Sequence, residues 1–401
     1  MINVESALKI VARETHALKP ERIPLDEASG RVLAEDIVAD TDMPPFDRSQ
    51  MDGYGVKSAD TENAPVTLKL VGESAAGRGW HKALRKGEAV RIMTGAPLPD
   101  GSDAVQKIEL TSEDGSTVTI KEPTSPGRYI VHQGKEIKKG KVVLESGTAI
   151  TPNNIAVPAA FGYAKLKVAR RPRVAILSTG TEIVDIAKRP KRDQIRNSNS
   201  IMLKALCEQA GAEATILPHV GDDISDLRSQ ISEAARTANV LITTGGVSVG
   251  KYDLTKLALH ELGAEIFFER LRLKPGKPTV FAKLKKTLIF SLPGNPVSAA
   301  VTYYLFVRPA LMRIQDAEEP DLKRGVAVAS KPVKAPKERD AYLPARLSTG
   351  PNGNLIAEPL DWHGSSDFIG FARTDALLAV KRGTVIEAGS PVPLLFLQMI
   401  R

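Results

Sequence analysis

Two lysines that flank a proline and a glycine, Lys274-Pro275-Gly276-Lys277, are the residues of this chain best suited to holding an anion. Pro-Gly at the centre suits a type II turn, whose ends lie within about 7 Å. Both ammonium groups could then face one oxyanion, although an ordinary solvated turn gives the same pattern. The run Gly245-Gly246-Val247-Ser248-Val249-Gly250 follows an apolar stretch. Glycines there let backbone N–H groups approach an anion, and Ser248 adds a hydroxyl donor. The run is neither a GxGxxG fingerprint nor a Walker A loop, and a plain tight turn would also explain it. Leu292-Pro293-Gly294-Asn295-Pro296-Val297-Ser298 reads as a turn that starts a helix, with Asn295 at the cap and Pro296 at the first helical position. Such an N-terminus, with Ser298, is a ready anion site, or simply a well-capped helix.

Acids stand near these loops. Asp52, Glu182, Asp222, Asp223 and Asp253 all fall in loop-like sequence. Glu182 and Asp253 are expected at strand ends of one sheet, where carboxylates beside phosphate-binding loops commonly hold Mg²⁺. Each is also what a surface acid or a helix cap would look like, and Asp223 reads as the cap of a helix from Ile224. The six histidines show no metal-ligand spacing. Taken together, the lysines, glycine loop, helix start and acids make a site for a highly anionic ligand.

The elements that must position these groups follow from periodicity. Val174-Ala175-Ile176-Leu177 and Val240-Leu241-Ile242-Thr243 are compact apolar runs that end in Ser178-Thr179-Gly180-Thr181-Glu182 and in Gly245-Gly246. Helical patterns over 198–210, 224–238, 254–262 and 296–312 alternate with strands at 214–220, 265–273, 278–283 and 287–291. Strands alternating with helices predict a doubly wound, mostly parallel sheet. A helical rhythm covers 6–18 and an extended segment 31–38. From 66 to 147 short alternating runs between glycine turns predict a small β domain, and the tail from 325 to 401 a second one. Met43 to Tyr54 is too rich in proline and turn formers for helix or strand. It reads as a loop with two exposed aromatics, Phe46 and Tyr54.

The 401 residues, at roughly 150 per domain, predict two to four domains. Hydrophobic residues at 42% and charged residues at 25% exclude a disordered, collagenous or coiled-coil chain. The single cysteine, Cys207, excludes an internal disulfide and a cysteine-rich metal site; it reads as a buried core thiol and suits a reducing cytoplasm. No secretory signal pattern is found in residues 1–20. The uncharged run Thr287 to Val307 is long enough for a membrane span, but the Pro-Gly-Asn-Pro turn within it predicts strand, turn and helix instead. The net charge of +8 is uneven, because residues 1–60 carry 7 basic and 12 acidic side chains. Such an excess suits nucleic acid, an acidic partner or a small anionic ligand, and aromatics at 5% with scattered basic residues argue against nucleic acid.

Read in order, Pro45 to Tyr54, Met93-Thr94-Gly95-Ala96-Pro97-Leu98-Pro99, Ser178 to Glu182, Gly245 to Gly250 with Asp253, Lys274 to Pro278 and Leu292 to Ser298 resemble the MoeA-type molybdopterin molybdotransferases. That family is similar to the C-terminal domain of gephyrin. The match runs through essentially the whole chain, and six motifs in sequence are far more specific than any one.

The resemblance implies an α/β multidomain architecture. A segmented N-terminal domain would cover 1–44 and 148–170, with a β domain inserted at 45–147. A doubly wound pterin- and molybdate-binding domain would cover 171–324, and a C-terminal β-barrel-like domain 325–401. It implies a cytoplasmic homodimer whose active site takes residues from both subunits, and an upstream molybdopterin adenylyltransferase as a candidate partner. The implied reaction inserts molybdate into adenylylated molybdopterin, with release of AMP and help from Mg²⁺. By resemblance, Asp52, Glu182 and Asp253 are catalytic, and Glu182, Asp222 and Asp253 hold the metal. Thr94, Gly245, Gly246, Ser248, Lys274, Lys277, Asn295, Ser298 and Ser365 bind substrate. Two places depart from the family pattern. Val131-His132-Gln133 and Glu136 stand where arginines and a shorter acid are usual, and Pro344 stands near an expected basic position. Tungstate as an alternative oxyanion, a pterin-binding scaffold without turnover, and an ATP-consuming adenylyltransferase are the rival readings.

Overall fold

The computed structural model describes residues 1–246, 254–360 and 364–397. Contacts divide the chain into two units, Asp36–Glu145 with Pro152–Ala164, and Met1–Glu35 with Ser146–Thr151 and Lys165–Arg401. The four expected domains cut the chain more finely than these units do.

The smaller unit is built on a six-stranded sheet. Its order is Ala104–Lys107, Gly53–Val56, Glu88–Ile92, Val66–Ser74, Thr117–Ile120 and Thr111–Asp114. The alternation of Thr117-Val118-Thr119-Ile120 does what a period of two demands: Val118 and Ile120 are buried and the threonines are not. The stretch read as a loop at 43–54 is partly strand, since Arg48–Ser49 pairs antiparallel with Ile130–Val131. Tyr54 is not at the surface either. It is 2% exposed, packs with Val56, Leu68 and Val118, and donates its hydroxyl to Glu113, which also pairs with Arg91. Phe46 is exposed, as expected.

The larger unit holds the doubly wound sheet, in the order Glu213–Ile216, Arg173–Ser178, Val240–Thr244, Thr287–Leu292, Val280–Leu284 and Glu265–Phe268. The first four strands are parallel, and Val280–Leu284 runs antiparallel to both of its neighbours. Val240–Thr244 and Thr287–Leu292 are buried at every residue, because helices cover both faces of the sheet. On one face Val4–Glu14, Ser198–Gln209 and the helix from Pro296 pack over Ile176, Ile242 and Phe290. On the other, Ile224–Thr237 and Leu254–Glu261 pack over Leu177, Leu241 and Ile289.

The uncharged run resolves into the strand Thr287–Leu292, a turn, the helix Pro296–Thr302, a π-helical turn over Tyr303–Val307, and the helix Arg308–Ile314. Among the described residues no helix is long and apolar enough to cross a membrane. Cys207 is buried in the first of the two cores, and burial pushes its thiol up to about 12.

The tail forms a closed five-stranded barrel. Asp340–Thr349 pairs with Leu355–Pro359, which pairs with Arg324–Ala329, then Pro391–Phe396, then Ala376–Val380, and so back to Asp340–Thr349. So narrow a barrel has little interior space, and Ala327, Ala329, Ala341, Ala345, Ala357 and Ala376 supply the small side chains that fit it. The short strand Leu273–Lys274 pairs parallel with Asp340–Ala341, which attaches the lysine segment to the barrel.

Candidate active site

A cleft of about 800 Å³ opens where the strands Arg173–Ser178, Val240–Thr244 and Thr287–Leu292 end. Ser178, Thr179, Glu182, Thr244, Gly245 and Asn295 all line it. Ligands of open α/β sheets bind outside the carboxyl ends of the strands, so the location is the one the topology favours. Gly245 has φ +92°, and a Cβ there would lie 2.4 Å from the carbonyl oxygen of Thr179. Only glycine lets the two strand ends approach so closely.

Two residues that the sequence reading passed over hold the cleft together. Asn199 donates its amide to the hydroxyl of Thr244 at 2.9 Å and to the carbonyl of Gly294 at 2.7 Å. Asn197 donates to the hydroxyl of Ser178 at 2.8 Å, while its own oxygen caps the helix by accepting from the N–H of Ser200 at 3.1 Å. One helix start thus ties down the ends of three strands. The signal was present as Asn197-Ser198-Asn199 ahead of an apolar helical run, a helix-start signature.

Asn295 does stand at the cap position of the helix from Pro296, but its side chain makes no capping hydrogen bond. It donates instead to the hydroxyl of Ser365 at 2.7 Å, and the carbonyl of Ser365 accepts from the N–H of Val297 at 3.1 Å. The C-terminal segment is therefore what satisfies the start of this helix. Ser298 is 4% exposed and does not line the cleft.

Glu182 lines the cleft, and its carboxylate has no ion pair or hydrogen bond among the described residues. Gly180, over which the Glu182 carboxylate lies, has φ +131°, a backbone conformation that favours glycine. Close by in sequence, Thr181 donates its hydroxyl to Asp222 at 3.3 Å. Asp223 caps the helix from Ile224 by accepting from the N–H of Asp226 at 2.9 Å, as expected. Among the described residues no group of three His, Cys, Asp or Glu is placed to hold a metal ion. Ser248 and Asp253 lie outside the described residues.

Lys274 and Lys277 are half-buried, do not line the cleft, and have no ion pair among the described residues. The turn between them differs from type II, since the Lys274–Pro275 peptide is cis. Gly276 has φ +112°, and a Cβ there would sit 2.5 Å from Thr302.

In the smaller unit, Asp52 and Thr94 come together from 42 residues apart. Strand pairing sets Gly53 opposite Ile92, and just beyond it one Asp52 oxygen accepts from the N–H of Thr94 at 2.7 Å and from its hydroxyl at 2.9 Å. These donors, the backbone N–H first, hold the Asp52 carboxyl below its ordinary value. The departing segment is anchored to the nearby loop. Glu136 pairs with Arg48 at 3.1 Å, and Asp47 accepts from the N–H of Gln133 at 2.7 Å and contacts His132 at 3.1 Å. Pro344 lies in the barrel strand opposite Leu377.

The chain matches the family models described as "MoeA N-terminal region (domain I and II)" over residues 2–162 and "MoeA C-terminal region (domain IV)" over 326–397. Between them, residues 175–313 match the "Probable molybdopterin binding domain". It is 36% identical to a molybdopterin molybdenumtransferase of Bacillus subtilis, over 99% of this chain and 94% of the relative. The chain belongs to the MoeA family. A Haemophilus influenzae molybdopterin molybdenumtransferase is 35% identical over 93% of this MoeA-type chain and 92% of its own length. The crystal structure of a molybdopterin biosynthesis MoeA protein from Pyrococcus horikoshii superposes with a TM-score of 0.83 at 31% identity, covering 100% of both chains. A second structure of a Pyrococcus horikoshii MoeA protein gives 0.86 at 28% identity, covering 99% of this chain and 100% of its own. As a MoeA-type protein, the chain is an enzyme of molybdenum cofactor biosynthesis.

Proposed function

We propose that this MoeA-type enzyme inserts molybdenum from molybdate into the dithiolene of adenylylated molybdopterin and releases AMP, with Mg²⁺ assisting. The observation that carries the reading is the cleft at the ends of the parallel strands. It combines a glycine-permitted floor at Gly245 with the carboxylate of Glu182, which has no partner among the described residues. The substrate is a polyanion and so is molybdate, which makes positioning and charge neutralisation more useful than a strong nucleophile.

In this reading Gly245 and Gly246 bring the backbone close to the substrate. Lys274 and Lys277 neutralise molybdate and phosphate, with Ser248, Asn295, Ser298 and Ser365 as hydrogen-bonding partners. Glu182, Asp222 and Asp253 form the acidic side. Carboxylates suit a hard cation, and Mg²⁺ bound there would offset phosphate charge. Asp52, hydrogen-bonded by Thr94, would come with Thr94 from the second copy in a homodimer. The single buried cysteine supports a cytoplasmic setting, and an upstream adenylyltransferase would supply the substrate.

Incubation of the full chain with adenylylated molybdopterin and Mg²⁺ tests the reading, with AMP release followed with and without molybdate. Release that depends on molybdate is the expected result. Retention of the nucleotide at all molybdate concentrations would leave a pterin-binding scaffold, and consumption of ATP would indicate an adenylyltransferase.

A further inference from the structure

We propose that a cavity between the first helix and the C-terminal barrel, apart from the cleft at the strand ends, binds a compact polyanion carrying phosphate or carboxylate groups.

The cavity has about 480 Å³ of space, and among the described residues it shares no lining residue with the cleft. One wall is the start of the helix Val4–Glu14. The other comes from three places on the barrel: Arg324 at the head of one strand, Asp340 and Tyr342 on a second, and Lys381-Arg382 in the turn after Ala376–Val380. Main-chain bonds fix both walls to one short segment. The N–H of Ile2 donates to the carbonyl of Arg270 at 3.1 Å, that of Arg272 to the carbonyl of Ile2 at 2.8 Å, and that of Asp340 to the carbonyl of Arg272 at 3.0 Å. The N–H of Arg382 donates to the carboxylate of Asp340 at 2.9 Å, which holds the turn against the strand. The charged side chains thus stand on a preformed frame, which lowers the cost of binding.

Charge supplies the second ground. The cavity brings together three cations, Arg324, Lys381 and Arg382, and two acids, Glu5 and Asp340. The acids have partners. Glu5 pairs with Lys9 at 2.9 Å, and Asp340 takes the N–H of Arg382. The three cations are exposed and have no ion pair among the described residues. Like charges gathered around one space repel, and an anion bound between them would relieve that repulsion. Tyr342 adds a neutral donor. Burial, the largest influence on its phenol, holds the ionisation above the ordinary value, and its O–H has no hydrogen-bond partner among the described residues. The space is of the size that takes a small molecule, larger than a single phosphate fills. Two or more anionic groups on one compact ligand would match both the space and the three cations.

The test is calorimetric titration of the full chain with pyrophosphate and, separately, with citrate, without Mg²⁺ and at low ionic strength, because salt screens exposed charges. Wild type should bind at least one of them at one site in the sub-millimolar range. Pyrophosphate alone would assign the site to phosphates and citrate alone to carboxylates, and either result supports the proposal. The triple variant Arg324→Gln, Lys381→Gln, Arg382→Gln should bind about tenfold more weakly or worse, and should fold normally by circular dichroism, since these side chains have no ion pair to lose. Glu5→Gln should bind about threefold more tightly, because a repelling carboxylate is gone. The double variant Lys274→Ala, Lys277→Ala should keep the wild-type affinity. Full affinity in the triple variant, or its loss in the lysine double variant, overturns the proposal. So does a wild type that binds neither anion, including one that binds only an acidic peptide.

Discussion

Asn295 and Ser365 stand 70 residues apart in the chain, and their side chains meet at 2.7 Å at the start of the helix from Pro296. A cap residue ordinarily turns its side chain back onto its own helix. Here the helix start is finished by a segment from the barrel region, so the mouth of the cleft and the tail of the chain share one hydrogen-bonding unit. Ser365→Ala should lower kcat/KM for the molybdate-dependent reaction by about tenfold, the effect of leaving a polar group unpaired. Ser365→Thr, which keeps the hydroxyl, should recover most of it.

Thr94 holds the Asp52 carboxyl below its ordinary value. A carboxyl whose folded value is lowered contributes stability above its unfolded value and loses it as the pH falls through the folded one. Asp52 should therefore stay ionised in acid below the ordinary aspartate value. Thr94→Val removes the hydroxyl donor and keeps the N–H, so a carbon-13 NMR titration of the Asp52 carboxyl should show its midpoint rising part of the way back. Asp52→Ala should fold normally by circular dichroism and lose at least about tenfold in molybdenum insertion. Full activity would remove Asp52 from the reaction.

Gly245→Ala should be among the more damaging single-atom additions in the cleft. The residue has φ +92°, and the obstacle at 2.4 Å is the backbone carbonyl of Thr179, which has little freedom to move. A cost of about 2 kcal/mol or more is expected, seen as a lower denaturant midpoint. Gly221→Ala is the control. Its Cβ would meet only the Thr181 methyl at 3.6 Å, an ordinary contact, and it should be tolerated.

Lys274→Ala and Lys277→Ala should each raise the molybdate concentration needed for half-maximal AMP release, by about tenfold. Neither ammonium group has an ion pair to lose among the described residues, so stability should change little. An unchanged molybdate dependence in both variants would remove the two lysines from oxyanion binding.

Much of this organisation was legible from the residues. The apolar runs from Val174 and Val240 and the helical patterns between them dictate a parallel sheet, and the glycines after Thr244 fall at its strand ends. What escaped was long-range. Nothing near Tyr54 in the sequence announces Glu113, 59 residues on, whose carboxylate lets a phenol be buried in a strand interrupted by glycines. Asn295 has the chemistry of a cap and the right position, and only the fold shows that Ser365 takes its amide. The motif acids were visible individually, but the apolar wall around Glu182 comes from Ile186, Ile195 and Phe368, which no local pattern groups together.

The thiol of Cys207 offers a measure of integrity. Burial pushes it up to about 12, so it should resist alkylation at pH 8 in the folded enzyme and react once the chain unfolds. A raised folded value adds stability that is complete below the unfolded value and is lost as the pH rises through the folded one. The denaturant midpoint should accordingly fall between about pH 9 and 12, and Cys207→Ala should flatten that decline.

The ring of pairings in the tail bears on how copies of this chain could associate. Each of the five strands already has a neighbour on both sides, so among the described residues the barrel has no strand with a wholly unpaired edge to offer an incoming strand. Recognition through that part of the surface must therefore be read in side chains, which individual substitutions can tune, and it is spared the indiscriminate main-chain stickiness of an open sheet.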